Sequence, residues 1–263
     1  MDLGLKGRTA LVGGASRGLG RAIAERLAAE GANLVLCSRD RSAIEGAAES
    51  IASEACAEVL PVAADLSRGE DITRLIETAT GTFGAIDILV HNTGGPPSGD
   101  FFDHDDAAWQ TAFEGLLLSF VRLARGGVPG MRAKKWGRIV TTTSFTVREP
   151  AERLALSNAL RTAVVSASKT LAREVAADGI TVNTVAQGAF ATDRLRLLFA
   201  SQAEARGQTF DEVEAEWISR IPIGRISQPK ELAALVAFLC SEAAGSITGA
   251  CLPIDGGMTH GLL

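Results

Sequence analysis

The sequence contains no tyrosine, and it is poor in other residues whose scarcity excludes whole classes of protein. Its four cysteines, Cys37, Cys56, Cys240 and Cys251, stand far apart and form no C-x-x-C pair. Isolated cysteines of this kind indicate buried thiols in a reducing cytoplasm rather than a redox or metal site. We therefore expect no metal ion and no disulfide framework.

Excess positive charge and long apolar runs are also missing. The formal net charge is −5, whereas nucleic acids and anionic membranes reward a basic surface. The longest apolar runs, such as residues 234–240, fall far short of the roughly 20 residues that a membrane span requires. The first residues show no signal-peptide pattern. We expect a cytoplasmic protein that binds a small molecule, with neither nucleic acid nor membrane as a partner.

What is present is an alternation of short apolar runs with helical patterns along 263 residues. Continuous apolar strands separated by helices indicate a parallel sheet covered on both faces. Right-handed crossovers then give a doubly wound fold. We predict a single α/β domain over residues 1–263, Rossmann-like, with helices on both faces. The expected strands are 9–14, 33–38, 57–65, 85–92, 137–144 and 180–186, and the first three helices are 19–30, 42–54 and 70–80.

Residues 190–228 break this alternation. The segment is charged and is typical of one or two surface helices. We predict a lid over a substrate cleft, and a purely structural excursion is the alternative.

A glycine-rich turn, "GGASRGLG" at residues 13–20, follows the first strand and opens the first helix. Glycine lets the backbone approach a pyrophosphate, and a helix N-terminus favours its negative charge. The strand–turn–helix context is the one that this motif requires. The sequence therefore predicts a cofactor site that includes Gly14, Ser16, Arg17, Gly18, Leu19 and Gly20.

Further motifs extend this pattern along nearly the whole chain. They are Asp65 in "AADLS", "NTG" at residues 92–94 and "DGG" at residues 255–257. With them the chain resembles the short-chain dehydrogenase/reductase family, of the 3-oxoacyl-carrier-protein reductase type, although Gly13 replaces that family's threonine. The resemblance implies a nicotinamide cofactor and a homo-oligomer, a tetramer by family analogy. It also implies that the cofactor contacts Asp65, Leu66, Asn92, Gly94, Gly188 and Thr192.

The choice between NADP(H) and NAD(H) depends on charge at the end of the second strand. An acidic residue there would bind a ribose 2′-hydroxyl and repel a 2′-phosphate. This chain has Ser38 and Arg39 at that point, with Arg17 in the glycine-rich turn. Two guanidinium groups suit a phosphate dianion, so we expect NADP(H) rather than NAD(H). In the alternative interpretation Arg39 is only a solvated loop residue. The acidic residue beside it, Asp40, favours this alternative.

The resemblance implies a catalytic Ser, Tyr and Lys, and only the serine has a direct match, Ser144. "SASK" aligns Lys169 with the family's lysine only if Val165 replaces the tyrosine. The other register uses Ser157 and Arg161, in "SNALR". Ser157 follows Ser144 by 13 residues, the spacing typical of the family, whereas Val165 would need 21. Spacing therefore favours Ser144, Ser157 and Arg161 as the catalytic set.

These replacements change what the site can do. Ser157 and Arg161 are four residues apart and share a helix face. The guanidinium can hold the nicotinamide ribose, but a pKa above about 12 excludes it as a proton relay. Serine lacks a phenol's acidity, and general acid catalysis is typically worth about 10²–10⁴-fold. Leu116 also stands where the family often has a proton-relay asparagine, and we expect a structural role for His91.

Three functions remain open. The first is an NADP(H)-dependent oxidoreductase of this family with an atypical Ser/Ser/Arg site. The second is a nucleotide-binding or scaffold protein whose catalysis is impaired. The third is a non-redox reaction on the same fold, as in halohydrin dehalogenases, which resemble the family and carry arginine at the lysine position. Those enzymes keep the tyrosine and alter the cofactor loop, whereas this chain does the reverse.

Overall fold

Seven parallel strands form one sheet in the part of the chain that the structure, a computed structural model, describes: residues 2–55 and 57–261. The strand order is β3-β2-β1-β4-β5-β6-β7. This arrangement confirms the single-domain, doubly wound parallel sheet. The strands are β1 Thr9–Gly13, β2 Asn33–Ser38, β3 Val59–Ala63, β4 Ile88–His91, β5 Gly137–Thr142, β6 Ile180–Gln187 and β7 Cys251–Ile254.

Helices cover both faces of this sheet. Alternate residues of a buried strand point to opposite faces, so Ala10 and Val12 pack on one side and Leu11 on the other. Helices α1, α2 and α9 cover the first face, and α3, α5 and α6 cover the second. The helices are α1 Gly18–Ala29, α2 Arg41–Glu54, α3 Gly69–Phe83, α4 Asp106–Phe113, α5 Ser119–Lys134, α6 Ala155–Val175, α7 Asp193–Arg206, α8 Phe210–Ser219 and α9 Pro229–Cys240.

The predicted boundaries agree with the observed elements to within a few residues, and one strand was not predicted. Strand β7 runs beside β6 at the sheet edge and contains Pro253. Proline removes a backbone donor and is tolerated at an edge, so this short run gives little strand signal in the sequence. None of the described helices combines the length and apolar character needed to cross a bilayer.

The cleft of the fold opens where the strand order reverses. Strand β1 lies between β2 and β4, so the loops that follow β1 and β4 leave in opposite directions. In open α/β sheets this point, at the carboxyl ends of the strands, is where ligands bind. The loops after β5 and β6 extend the same edge of the sheet.

Residues 190–228 contain α7 and α8. Ala191 N donates to Ser227 O at 2.8 Å and Ser227 N to Ala189 O at 3.1 Å, which closes the base of the segment. Phe199 and Val213 form a small apolar cluster of their own, separate from the two faces of the sheet. The segment therefore packs as a local unit, and its role as a lid remains a prediction.

The described cysteines are free thiols. Cys37 and Cys240 are buried, and burial raises the pKa of each thiol to about 12. Cys251 is only half-buried, so the expectation of a buried thiol was wrong there, because β7 lies at the sheet edge. Cys56 lies outside the described residues.

Candidate functional site

The turn between β1 and α1 has a backbone that suits glycine. Gly14 and Gly18 have positive φ angles of 58° and 60°. A Cβ atom on Gly20 would lie 2.2 Å from the Gly14 carbonyl oxygen, so a larger residue would force the turn open. Ser16 lies in this turn and Leu19 in the first turn of α1, which packs on the core.

The N-terminus of α1 has no capping group of its own among the described side chains. Arg17 occupies the N-cap position, and its side chain makes no capping hydrogen bond. The first turn of the helix contains no acidic residue either. The unpaired N–H groups and the helix dipole therefore leave a position that favours an anion.

Asn92 ties together three strand ends beneath this turn. Its Nδ2 donates to the Gly13 carbonyl oxygen at 3.0 Å, and its Oδ1 accepts from Thr142 Oγ1 at 2.8 Å. These bonds join β4 to β1 and to β5. Gly94, two residues further on, is exposed, and the space where its Cβ would lie is open.

At the end of β2 the acidic residue is already engaged. Asp40 Oδ1 accepts from Ala43 N at 3.0 Å and caps α2, and Ser38 Oγ donates to the Asp40 carbonyl oxygen at 3.0 Å. Arg17 and Arg39 are both exposed, and among the described residues neither makes an ion pair, unlike nearby Arg41, which pairs with Glu45. The end of β2 and the glycine-rich turn therefore present two unpaired arginines against the single carboxylate of Asp40.

The end of β3 forms the adjacent wall. Asp65 Oδ1 accepts from Ser67 N at 2.9 Å and from Ser67 Oγ at 2.8 Å, which fixes the carboxylate. Leu66 is 8% exposed and would touch a Cβ placed on Gly13 at 3.0 Å. Asp65 and Leu66 therefore border the same turn as Gly13.

The loop after β6 meets the glycine turn from the opposite side. A Cβ on Gly188 would lie 2.7 Å from Asp255 Cα, so the backbone can pass there only as glycine. Thr192 caps α7 by accepting from Leu195 N at 3.3 Å. Its Cγ2 would be 3.6 Å from a Cβ on Gly18, so the two loops face each other across the cleft.

Three hydroxyl residues are linked through Thr146 just beyond the end of β5. Ser144 Oγ accepts from Thr146 N at 3.2 Å, and Thr146 Oγ1 lies 3.5 Å from Ser157 Oγ. Ser157 is 7% exposed, on the first turn of α6. Thr146 thus connects the two serines that the sequence places in the catalytic set.

Arg161 lies one helical turn beyond Ser157 and is also 7% exposed. Its Nη1 donates to the Thr142 carbonyl oxygen at 3.1 Å. Burial, and then the charge of Arg194, lower the pKa of Arg161 to about 10. The expectation of a pKa above about 12 was wrong, because the residue type does not show whether the side chain is buried. Arg161 nevertheless remains a cation at neutral pH.

The chain matches the family model described as enoyl-(acyl carrier protein) reductase over residues 14–259. It is 34% identical over 256 residues to 3-oxoacyl-(acyl-carrier-protein) reductase from Vibrio cholerae, which covers 97% of this chain and 99% of that relative. The chain belongs to the short-chain dehydrogenase/reductase family. It is similarly 35% identical over 256 residues to the Escherichia coli protein of the same name, with 97% and 99% covered.

Solved structures of this family have the same fold. L-sorbose reductase from Gluconobacter frateurii, complexed with NADPH and L-sorbose, matches with a TM-score of 0.96 and 36% identity over 100% of both chains. Actinorhodin polyketide ketoreductase with NADPH matches with a TM-score of 0.92 and 29% identity, covering 97% of this chain and 98% of that one. The resemblance inferred from the motifs is confirmed at the level of the family.

Neither the position of the family's proton-relay asparagine nor the buried histidine supplies a proton donor here. Leu116 is 3% exposed in a π-helical turn, residues 114–118, between α4 and α5. His91 is 2% exposed, with its Nε2 2.8 Å from Ser119 Oγ. Burial, and then the charge of Arg161, lower the pKa of His91 to about 3, so its imidazole is neutral at pH 7.

The lysine of "SASK" and the charged residues of "REP", at residues 148–150 between Ser144 and Ser157, make hydrogen bonds to other parts of the chain. Lys169 Nζ donates to the Gly249 carbonyl oxygen at 2.9 Å, beside the segment that leads into β7. Arg148 Nη2 donates to the Cys251 carbonyl oxygen at 2.7 Å. Glu149 Oε2 accepts from the backbone N of residue 260 at 3.1 Å. Among the described residues, no group of three His, Cys, Asp or Glu side chains could hold a metal ion.

Sequence reasoning missed three residues at this site: Thr142, Thr146 and Arg194. The threonine run that ends β5 was a usable signal, because residues just past a strand end face the cleft. No sequence pattern indicated that Arg194 belongs to the site. It lies 33 residues beyond Arg161 in the chain, and only the packing of α7 brings the two charges together.

Proposed function

We propose that this chain binds NADP(H) at the carboxyl ends of β1, β2 and β4 and interconverts a carbonyl and an alcohol. The observation that carries the proposal is the unpaired positive corner formed by the α1 N-terminus, Arg17 and Arg39. A 2′-phosphate beside Arg39 and a pyrophosphate at the helix N-terminus would supply the anions that this corner lacks. The NADPH complexes of the related sorbose and polyketide reductases agree with this choice.

The engagement of Asp40 supports NADP(H) over NAD(H). A free carboxylate at the end of β2 would repel a 2′-phosphate. Here the Asp40 carboxylate is exposed and keeps its charge, but its Oδ1 accepts from Ala43 N and caps α2, and the exposed Arg17 and Arg39 outnumber it. The alternative, in which Asp40 binds a ribose 2′-hydroxyl, would cost α2 its N-cap, worth about 1 kcal/mol.

The hydroxyl groups of Ser144, Thr146 and Ser157 would carry out the reaction chemistry. A bound nicotinamide would supply or accept the hydride. Ser144 uses its oxygen to accept from Thr146 N and keeps its own proton for a substrate oxygen. If Thr146 donates to Ser157, the Ser157 proton also points to the substrate. Two hydroxyl donors would then stabilise a developing alkoxide, and water would deliver the proton that a tyrosine supplies elsewhere in the family.

Arg161 contributes charge rather than a proton. It is held by the Thr142 carbonyl oxygen at the back of the cleft. A cation there lowers the energy of a nearby alkoxide and can hold ribose hydroxyls.

The first experiment is calorimetric titration with NADPH and NADH. Arg39→Gln should weaken NADPH binding about tenfold or more, as loss of one charge-assisted phosphate contact predicts, and leave NADH binding unchanged. Arg41→Gln, which removes the neighbouring arginine already paired with Glu45, is the matched control. Tighter binding of NADH than of NADPH by the wild type would refute the cofactor choice.

A second experiment tests turnover. NADPH oxidation with a panel of ketones and oxo acids should occur and should fall at least about 100-fold in Ser144→Ala. Ser157→Tyr combined with Arg161→Lys should raise ketone reductase activity if only the acid is missing. No turnover by the wild type or by this double variant would contradict the proposed reaction.

A second candidate function follows from the lack of a proton donor. Two buried titratable groups lie at this end of the sheet: His91, with a pKa of about 3, and Arg161, with a pKa of about 10. Neither exchanges a proton readily at pH 7. A nucleotide-binding protein without turnover would show tight NADPH binding in the first experiment and no reaction in the second.

A further inference from the structure

Two guanidinium groups converge at the loop after β4, and one of them belongs to a buried residue. A Cβ atom placed on Gly95, in the loop after β4, would lie 3.5 Å from Arg194 Nη2 and 3.9 Å from Arg161 Nη2. Arg161 approaches from α6 and Arg194 from the first turn of α7. Both side chains therefore reach the same point at the mouth of the cleft.

These two charges have no anionic partner within residues 2–55 and 57–261. The hydrogen bonds of both guanidinium groups go to backbone carbonyl oxygens: that of Thr142 for Arg161 at 3.1 Å, and that of Pro96 for Arg194 at 3.1 Å. The charge that acts most strongly on Arg161 is the like charge of Arg194. Burying a cation beside a second cation is unfavourable unless an anion joins them.

The chain departs from its family at two positions beside this pair of charges. Serine at 157 is shorter than the family's tyrosine and lacks its phenol. Arginine at 161 reaches further than lysine and presents a planar set of donors that fits a carboxylate in a bidentate manner. The two replacements occur together on one face of α6.

We infer that Arg161 and Arg194 bind the carboxylate of the substrate, and that the substrate is therefore an oxo acid or hydroxy acid rather than a neutral ketone or sugar. This inference rests on the proposed carbonyl–alcohol function and adds the substrate class. Arg161 forms the floor of the carboxylate site and Arg194, which is exposed, forms its mouth. The adjacent Ser144 and Ser157 then face the carbonyl of the same molecule.

The same pair of charges could instead bind the cofactor pyrophosphate, because Thr192 at the start of α7 lies near Gly18. The two sources make different demands. A substrate site discriminates an acid from its ester and leaves NADPH affinity unchanged when Arg194 is altered. A cofactor site does not discriminate an acid from its ester and loses NADPH affinity when Arg194 is altered.

Thermal unfolding tests binding without requiring turnover. With saturating NADPH, malonate should raise the Tm of the wild type, and Arg194→Gln should abolish most of that shift. Arg196→Gln is the matched control, since Arg196 is also exposed on α7 and makes no described side-chain hydrogen bond to the cleft. A malonate shift without turnover supports the carboxylate site and contradicts the proposed reaction instead. No shift in the wild type overturns the site.

Turnover supplies the second readout. Oxo acids such as acetoacetate and 2-oxobutanoate should react with at least tenfold higher kcat/KM than their methyl esters. Arg194→Gln should raise KM for the acids about tenfold, with Arg194→Lys intermediate, and leave the esters and the NADPH Kd unchanged. Equal use of acids and esters, or a weakened NADPH Kd without a change in acid preference, overturns the inference while the proposed oxidoreductase function stands.

Discussion

Thr142 Oγ1 donates a 2.8 Å hydrogen bond to Asn92 Oδ1, and this contact joins the end of β5 to the loop after β4. Asn92 extends the link to β1 through the Gly13 carbonyl oxygen. The Thr142 carbonyl oxygen extends it to α6 by accepting from Arg161. One strand end therefore positions groups on both sides of the cleft.

Thr142→Val should remove this link at nearly constant volume. We expect a loss of about 1–2 kcal/mol in the free energy of unfolding, because Asn92 Oδ1 loses its donor, together with weaker NADPH binding. Chemical denaturation and calorimetry measure the two effects. Thr141→Val is the matched control: Thr141 Oγ1 is buried without a partner, so its removal should be neutral or stabilising. Equal effects of the two variants would contradict the role of Thr142.

Gly20→Ala should disrupt the turn before α1. Its Cβ would lie 2.2 Å from a backbone oxygen, so the turn must shift. We expect a destabilisation of about 1–3 kcal/mol, typical of overpacking, and at least a tenfold loss of NADPH affinity. Gly46→Ala, at an exposed position of α2 where no described atom lies within 4 Å of the new Cβ, should instead stabilise by about 0.5–1 kcal/mol. Unchanged cofactor affinity in Gly20→Ala would exclude the turn as the phosphate site.

Buried His91 should make the protein acid-sensitive. Its pKa is about 3 in the folded chain, against an ordinary value of 6.5. Between these values the unfolded chain binds the extra proton, so stability falls as pH drops below 6.5. At pH 5 the loss is about 2 kcal/mol.

Urea unfolding of His91→Gln at pH 5 and pH 7 measures this contribution. The variant should lose less stability than the wild type on acidification. His260→Gln, whose histidine side chain is 89% exposed, should behave as the wild type does. A wild-type stability that does not change between these pH values would show that His91 titrates normally.

Thr146→Val tests the hydroxyl chain. Thr146 is 2% exposed and lies 3.5 Å from Ser157 Oγ. If Thr146 orients Ser157, the valine variant should lower kcat several-fold with little change in KM. The reason is that the hydrogen bond from Ser157 to the substrate oxygen strengthens in the transition state. Thr146→Ser should recover most of the activity. A failure of serine to rescue would indicate a packing role for Thr146 instead.

The sequence determined the fold and predicted the glycine-rich turn of the proposed cofactor site. Apolar runs alternating with helices specify a doubly wound sheet, and the turn at 13–20 requires glycine because its backbone has positive φ angles and close approaches. These signals are local: each depends on residues near in the chain. They could therefore be read without coordinates, and so could the spacing that puts Ser157 and Arg161 on one helix face.

Only the tertiary structure decided which side chains meet. The contact of Thr146 with Ser157 and the convergence of Arg161 with Arg194 join residues that no local pattern relates. Burial, which lowers the pKa of Arg161 to about 10, is likewise a property of the packed chain. The replacement of the family's tyrosine and lysine by Ser157 and Arg161 was predicted from the sequence, but the approach of Arg194 to Arg161 required the fold, because packing sets long-range distances and local spacing does not.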